Sequence, residues 1–366
     1  MNKNYLLHNA TAKKLYFDYA KDLPIIMLCD DCEPEDKIYN NISEAFLLND
    51  CYKQDAMREC GIDEKFITGN ASDYEKFRAF CSILPKFAGH PIYLLAHIEL
   101  KQNFDCDMEI CEENADEIWQ SCNSKIILNS ITEKNIAEGS NLNYVKVFYP
   151  FIFNEIEDSN VLDLKSLELH LLNLLSEADK NGYKIVTHRA IESFFKPNPY
   201  KSNEILQKMI KEKEYVSYEE KTFLEIQLLR TLGIEYKKRD WTLLWYDESY
   251  AESAEFHNNE EVISYLDQNG ALPKNYNLIY LDFEDTEEAI SQRINIFARR
   301  NALGKFIFLP SLASSTTAFT NNDYIRRILC NVIGKWVENG EYTSDEKTLK
   351  KLIEDILYNN LKEAIS

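Results

Sequence analysis

From Lys125 onward, short apolar runs alternate with amphipathic helical stripes, which limits the chain to folds with a parallel sheet covered by helices. Ile25–Leu28, Ile126–Leu128, Tyr144–Phe148, Lys184–Thr187, Trp241–Tyr246, Leu278–Phe283 and Lys305–Leu309 read as strands. Between them, Leu167, Leu171, Leu174 and Ala178 form a helical stripe closed by Gly182, and Ile325, Ile328, Val332 and Trp336 form another that stops at Gly340. The last helix opens with Thr343 and Glu346 in capping-box register and buries Leu349, Ile353 and Ile356. Seven strands fall one short of an eight-stranded barrel. The expected fold class is therefore α/β: a distorted, incomplete TIM-like (β/α) barrel of about seven strands, with a helical insertion after the first.

The first third of the chain has a different texture. Asn9 precedes a helical pattern at Leu15, Tyr16 and Tyr19, and Glu35 to Asn123 is mostly helical. Ser72 and Glu75 have capping-box spacing, and Asn114-Ala115-Asp116 opens another amphipathic turn. The expected organisation is an N-terminal helix and first strand over 1–34, a helical insertion over 35–123, and the remainder of the barrel over 124–366, in one composite domain. The 366 residues are 45% hydrophobic, enough for a sizeable core, and carry a formal net charge of -20. That charge, without a basic cluster, excludes nucleic acid as an expected partner. No run approaches the apolar length of a membrane span, so no membrane partner is expected. Nine cysteines with no secretory pattern fit a reducing compartment, and the expected location is the cytoplasm.

The segment from Leu6 to Tyr16, followed by Tyr19-Ala20-Lys21-Asp22-Leu23-Pro24, resembles the opening of uronate (glucuronate) isomerases. The likeness continues at Tyr52-Lys53, Ala56-Met57-Arg58, Thr68 to Phe77, His97-Ile98-Glu99-Leu100 and Asn114 to Asn123. It returns at Leu232 to Tyr236 and from Arg326 to Glu338, so it spans nearly the whole chain. This resemblance implies the amidohydrolase superfamily, one divalent metal, and interconversion of D-glucuronate or D-galacturonate with a ketose acid. Such chemistry needs a base, an electrophile on the oxygens and cations for the carboxylate.

At the positions that would carry that chemistry, the sequence departs from the family. Cys29 and Asp31 stand in the places of two metal-binding histidines. Leu312 and Ser314 stand where the family has a ligand Asp and an Arg, and Ile152, Tyr246 and Ala251 replace other polar groups. Cys51-Tyr52 keeps only the Tyr of a substrate-contacting His-Tyr pair. A strand–helix unit is also missing between Phe283 and Lys305. The implied reading is a uronate isomerase family protein whose catalytic set has degenerated, with no cofactor.

Two rivals stand beside it. In the first, an active isomerase with a rebuilt or metal-free site uses Cys29, Asp31, Cys51, Tyr52 and His188, with zinc or manganese held by Cys29, Asp31 and Cys51. In the second, a non-catalytic protein binds uronate sugar acids or another chain, as a homo-oligomer or beside an intact isomerase. Each candidate also has a structural reading: His188 as a hydrogen-bonded residue at a strand end, Tyr52 and His97 as packing residues, Arg326-Arg327 as a solvated or ion-paired face.

Overall fold

The computed structural model describes residues 3–29, 38–129, 142–150, 156, 161–189, 191, 194–212, 215–247, 260–274, 276–282, 286–300, 303–310 and 315–365. Six strands are present among them, not seven: β1 (Ile25–Cys29), β2 (Leu142–Lys146), β3 (Ile185–Arg189), β4 (Thr242–Asp247), β5 (Tyr276–Asp282) and β6 (Ile307–Pro310). The run Ile126–Leu128 is instead the end of a helix, Ala115–Asn129, in which Ile118, Cys122 and Ile126 form a buried stripe four residues apart. Ile127 and Leu128 point into solvent, which a buried strand would not allow.

All strands are parallel and pair in chain order. Ile25 to Cys29 match Leu142 to Lys146, and β3, β4, β5 and β6 pair successively. Phe148 joins the two groups by bridging Val186, donating from its N–H to the Ile185 carbonyl at 2.9 Å and accepting from the Thr187 N–H at 3.1 Å. Pairing between β6 and β1 is absent among the described residues.

Side-chain alternation gives this sheet two apolar faces. Ile26, Leu28, Val147, Ile185, Leu244, Ile307 and Leu309 share one core on the inner face. Val186, Leu243 and Trp245 point the other way, into helices α7 (Leu164–Lys180), α8 (Pro199–Gln207), α9 (Tyr218–Lys238) and α10 (Glu260–Gln268). Phe306, just before β6, and Phe308 within it likewise meet α11 (Glu287–Arg300), α12 (Ser315–Glu338) and α13 (Glu346–Glu354). The final helix, α14 (Asn360–Ile365), closes the N-terminal edge of the sheet. Leu361 joins the inner core, and the Thr242 hydroxyl at the start of β4 donates to the Ala364 carbonyl. The opposite edge, where the strands end, is left as the mouth on which sites form in such folds.

Between β1 and β2 the chain builds a separate helical core from α2 (Ile42–Phe46), α3 (Cys51–Glu59), α4 (Asp73–Ile83), α5 (Pro91–Phe104) and α6 (Ala115–Asn129), around Phe46, Phe77, Phe80 and Phe104. Its local signals are explicit. Ser72 and Glu75 make both halves of a capping box on α4, and Pro91 sits in the first turn of α5. The N-terminal helix α1 (Ala10–Leu15) is capped by Asn9, as its sequence predicts. Helix α7 ends before Gly182, whose positive φ of 86° a side chain would resist. The Thr343 cap is corrected: Asp345 caps α13 by accepting from the Thr348 N–H, and the Thr343 hydroxyl accepts from the Asp345 N–H two residues on.

Arg326 and Arg327 are buried, so a solvated face is excluded for both. Arg326 donates to the carbonyls of Ala20, Lys21, Leu23 and Pro24 at 2.9–3.2 Å, fixing the entry into β1. Arg327 is ion-paired with Asp323 at 2.9 Å and lies between the rings of Tyr5 and Tyr16, 3.9 and 4.0 Å from their centres. Both tyrosine hydroxyls donate to Asp323. This network clamps the N-terminal segment onto α12.

Candidate active site

Parallel strands bring Cys29, Lys146, Arg189, Asp247, Asp282 and Pro310 to one edge. The helical insertion reaches this mouth through α3. Asp50 caps α3 by accepting from the Lys53 N–H at 3.0 Å, which places exposed Cys51 and half-buried Tyr52 in its first turn. Tyr52, Asp50, Lys53 and Glu99 then line a cavity with Thr317, Thr320 and Asn321 from the first turns of α12, the helix that follows β6. Its volume is about 20 Å³, room for one water and not for a sugar.

The polar centre of this cavity went unseen in the sequence. Lys53 Nζ lies 2.5 Å from Glu99 Oε2 and 3.1 Å from Asp50 Oδ2, donates to the Phe46 carbonyl at 2.7 Å, and sits 3.7 Å over the Phe46 ring. Burial works against the charged amine, but Glu99 and Asp50 outweigh it and hold Lys53 above the ordinary lysine range. Glu99 lies 46 positions from Lys53. The available signal was weak: a single acid inside the apolar stripe Ile92, Ala96, Leu100 of α5, and an Asp-x-x-Lys opening α3.

His188 follows the alternation of β3. Ile185 faces the inner core, so Val186 and His188 face the helices. The imidazole is buried beneath α9, with Nε2 2.9 Å from the Tyr236 hydroxyl and Glu225 Oε1 3.9 Å from Nδ1. The Trp245 ring lies beside it, and burial pushes the Tyr236 phenol well up. This ring is turned sideways from the mouth. His97 is also committed: its Nδ1 meets the Tyr93 carbonyl at 2.6 Å, and its Nε2 accepts from the Ile110 N–H at 2.9 Å, tying the following loop to α5.

The remaining positions singled out in the sequence are not brought together. Cys29 closes β1 and Tyr246 is the penultimate residue of β4. Asp31, Ile152, Ala251, Leu312 and Ser314 lie outside the described residues. Among the described residues, no three His, Cys, Asp or Glu side chains converge as a metal would require. The donors among the described residues do not fit a divalent ion.

The family model described as glucuronate isomerase matches residues 1–148 and 280–364. The unmatched middle carries β3 and β4 with their covering helices. The uronate isomerase of Caldanaerobacter subterraneus is 28% identical over 459 aligned positions, covering 99% of this chain and 98% of that protein. With 366 residues, this chain leaves roughly a fifth of that alignment as gaps. The crystal structure of the Thermotoga maritima uronate isomerase is similar at a TM-score of 0.80 and 18% identity, covering 100% of this chain and 99% of that one. The Caulobacter crescentus glucuronate isomerase follows at 0.75 and 14%, covering 100% and 96%. At those identities the structures show a shared fold, and the family model adds descent: this chain belongs to the glucuronate isomerase family.

Proposed function

We propose that this protein keeps the uronate isomerase scaffold without its reaction, and acts as a non-catalytic binding or interaction protein. The observation that carries the reading is His188. A histidine at the end of a barrel strand is the natural base or ligand for this chemistry, yet this one is buried against Tyr236 in the helical layer. Apolar or uncharged residues at the aligned chemical positions Ile152, Leu312 and Ser314 support the same reading. So does the middle of the chain, residues 149–279, where the family model finds no match.

Aldose–ketose isomerisation moves a proton between neighbouring carbons while the intermediate's oxygens and the carboxylate are held by positive charge. Loss of one such group commonly costs about 10²–10⁴ in rate. Several losses together leave no route at a useful speed. The test is to incubate the purified chain with D-glucuronate and with D-galacturonate, with and without added zinc or manganese, and assay for the ketose acids. The expected outcome is background conversion under every condition. Metal-dependent formation of either ketose overturns it and restores the rebuilt-site alternative, for which Asp31→Asn is the next variant.

A further inference from the structure

The N-terminal helix α1, the end of α12 and the start of α13 enclose a groove of about 230 Å³. A cavity of about 150 Å³ holds a benzene ring, so this one has room for a molecule the size of leucine. The groove lies at the far end of the fold from the mouth. Helix α1 leads through Pro24 into the start of β1, and Val337 stands at the end of α12 away from its junction with β6. What binds here is therefore independent of the reading proposed for the mouth.

The floor of the groove is apolar. Leu15 and Tyr19, one turn apart on the N-terminal segment, share a face with Leu349 of α13 and Val337 of α12. Leu15 and Leu349 are buried, while Tyr19 and Val337 are half-buried and form the walls. The rim carries one charge of each sign. The Asp345 cap sets Glu346 in the first turn of α13, where its carboxylate accepts from the Lys14 ammonium of α1. Their side chains are 46% and 68% exposed, so water competes for both and the pair opens at little cost.

An ammonium and a carboxylate above an apolar floor complement a molecule that carries the opposite two charges and an apolar tail. A simple anion would meet repulsion from Glu346, and a simple cation would meet repulsion from Lys14. A zwitterion exchanges one solvated pair for two, and its tail displaces water from Leu15 and Leu349. We propose that this groove binds a free apolar α-amino acid, with the ligand's carboxylate on Lys14, its ammonium on Glu346 and its side chain between Leu15 and Leu349. Such a ligand ties α1 to α13 and so fastens the N-terminal segment to the C-terminal helices.

The test is isothermal titration calorimetry of the full chain with leucine, and with isocaproate and isoamylamine, which keep the leucine tail and one charge each. The expected result is saturable binding of leucine at one site, about tenfold or more tighter than either singly charged probe, as the loss of one charge-assisted hydrogen bond implies. Lys14→Met and Glu346→Gln should each weaken leucine binding by about the same factor. Ser344→Trp, placed at the exposed rim of the groove, should abolish it by filling the space. Thermal melts of the unliganded variants confirm that they are folded, and the comparison of the three probes on the parent chain decides the matter where a variant is not. The proposal is overturned if leucine gives no saturable binding at millimolar concentration, if isocaproate or isoamylamine binds as tightly, or if folded Lys14→Met and Glu346→Gln bind leucine unchanged.

Discussion

Replacing Lys53 by Met removes the only positive charge described inside the helical insertion's cavity while keeping the length of the side chain. The lysine side chain is 5% exposed, and its partners Glu99 and Asp50 are 2% and 10% exposed. Met can fill the space over the Phe46 ring but cannot donate to the Phe46 carbonyl or balance either carboxylate. Breaking a buried pair from one side costs about 3–5 kcal/mol, against at most about 1 kcal/mol for a solvated pair.

The variant also acquires a pH signature. Without the ammonium, burial favours protonated Glu99, so the folded variant holds a proton that an unfolded Glu releases at about pH 4.3. A raised folded pKa contributes stability that is fully present below the unfolded pKa and is lost as pH rises through the folded one. The difference between parent and variant therefore widens on going from about pH 4.5 toward neutrality, by up to about 1.4 kcal/mol per pH unit. Urea denaturation followed by circular dichroism at several pH values measures it, and Glu99→Gln added to the variant should recover part of the loss. A pH-independent loss of under about 1 kcal/mol would refute a buried, charge-compensated Lys53.

Other consequences are open to the same denaturation assay. Arg326→Ala should cost about 3 kcal/mol or more, since it strands four carbonyls that the guanidinium now satisfies. Gly334→Ala would bring a Cβ within 2.8 Å of the Ala12 amide nitrogen and the Asn9 carboxamide, and should cost about 1–3 kcal/mol through the α1–α12 contact. His188→Phe should cost about 1–3 kcal/mol by leaving the buried Tyr236 hydroxyl without its partner. In acid, hydrogen bonds to helix-opening amides and hydroxyls hold Glu75, Asp163 and Asp345 below their ordinary values. Their contribution is present above an unfolded pKa of about 4 and lost as pH falls through the lower folded values, so a Ser72→Ala variant should show a weaker acid dependence.

The sequence carried the fold where a signal was local. Asn9, Ser72 with Glu75, and Gly182 each announce a helix end through a contact within three or four residues, and each occurs in the structure. Ile126–Leu128 failed because three apolar residues cannot distinguish two periods, whereas the longer stripe from Ile118 through Cys122 settles on a helix. The end of β3 was legible, but the direction of His188 was not. That direction depends on which face of the strand meets α9, a fact of packing. Lys53 and Glu99 are joined only when α3 and α5 come together, and no spacing rule reaches across 46 positions. Arg326 and Arg327 look like surface charge until the N-terminal segment supplies carbonyls and aromatic rings to receive them.

The most direct measurement of the central proposal is hydrogen exchange at the substrate's reacting carbon. The purified chain, loaded with zinc or manganese, is incubated with D-glucuronate in heavy water, and deuterium at the carbon beside the carbonyl is followed by NMR. With the reaction lost, incorporation is expected to be no faster than in buffer with the same metal. Faster incorporation by the loaded protein would show that a base and an electrophile still meet at the mouth, and would contradict the account even with no net ketose formed.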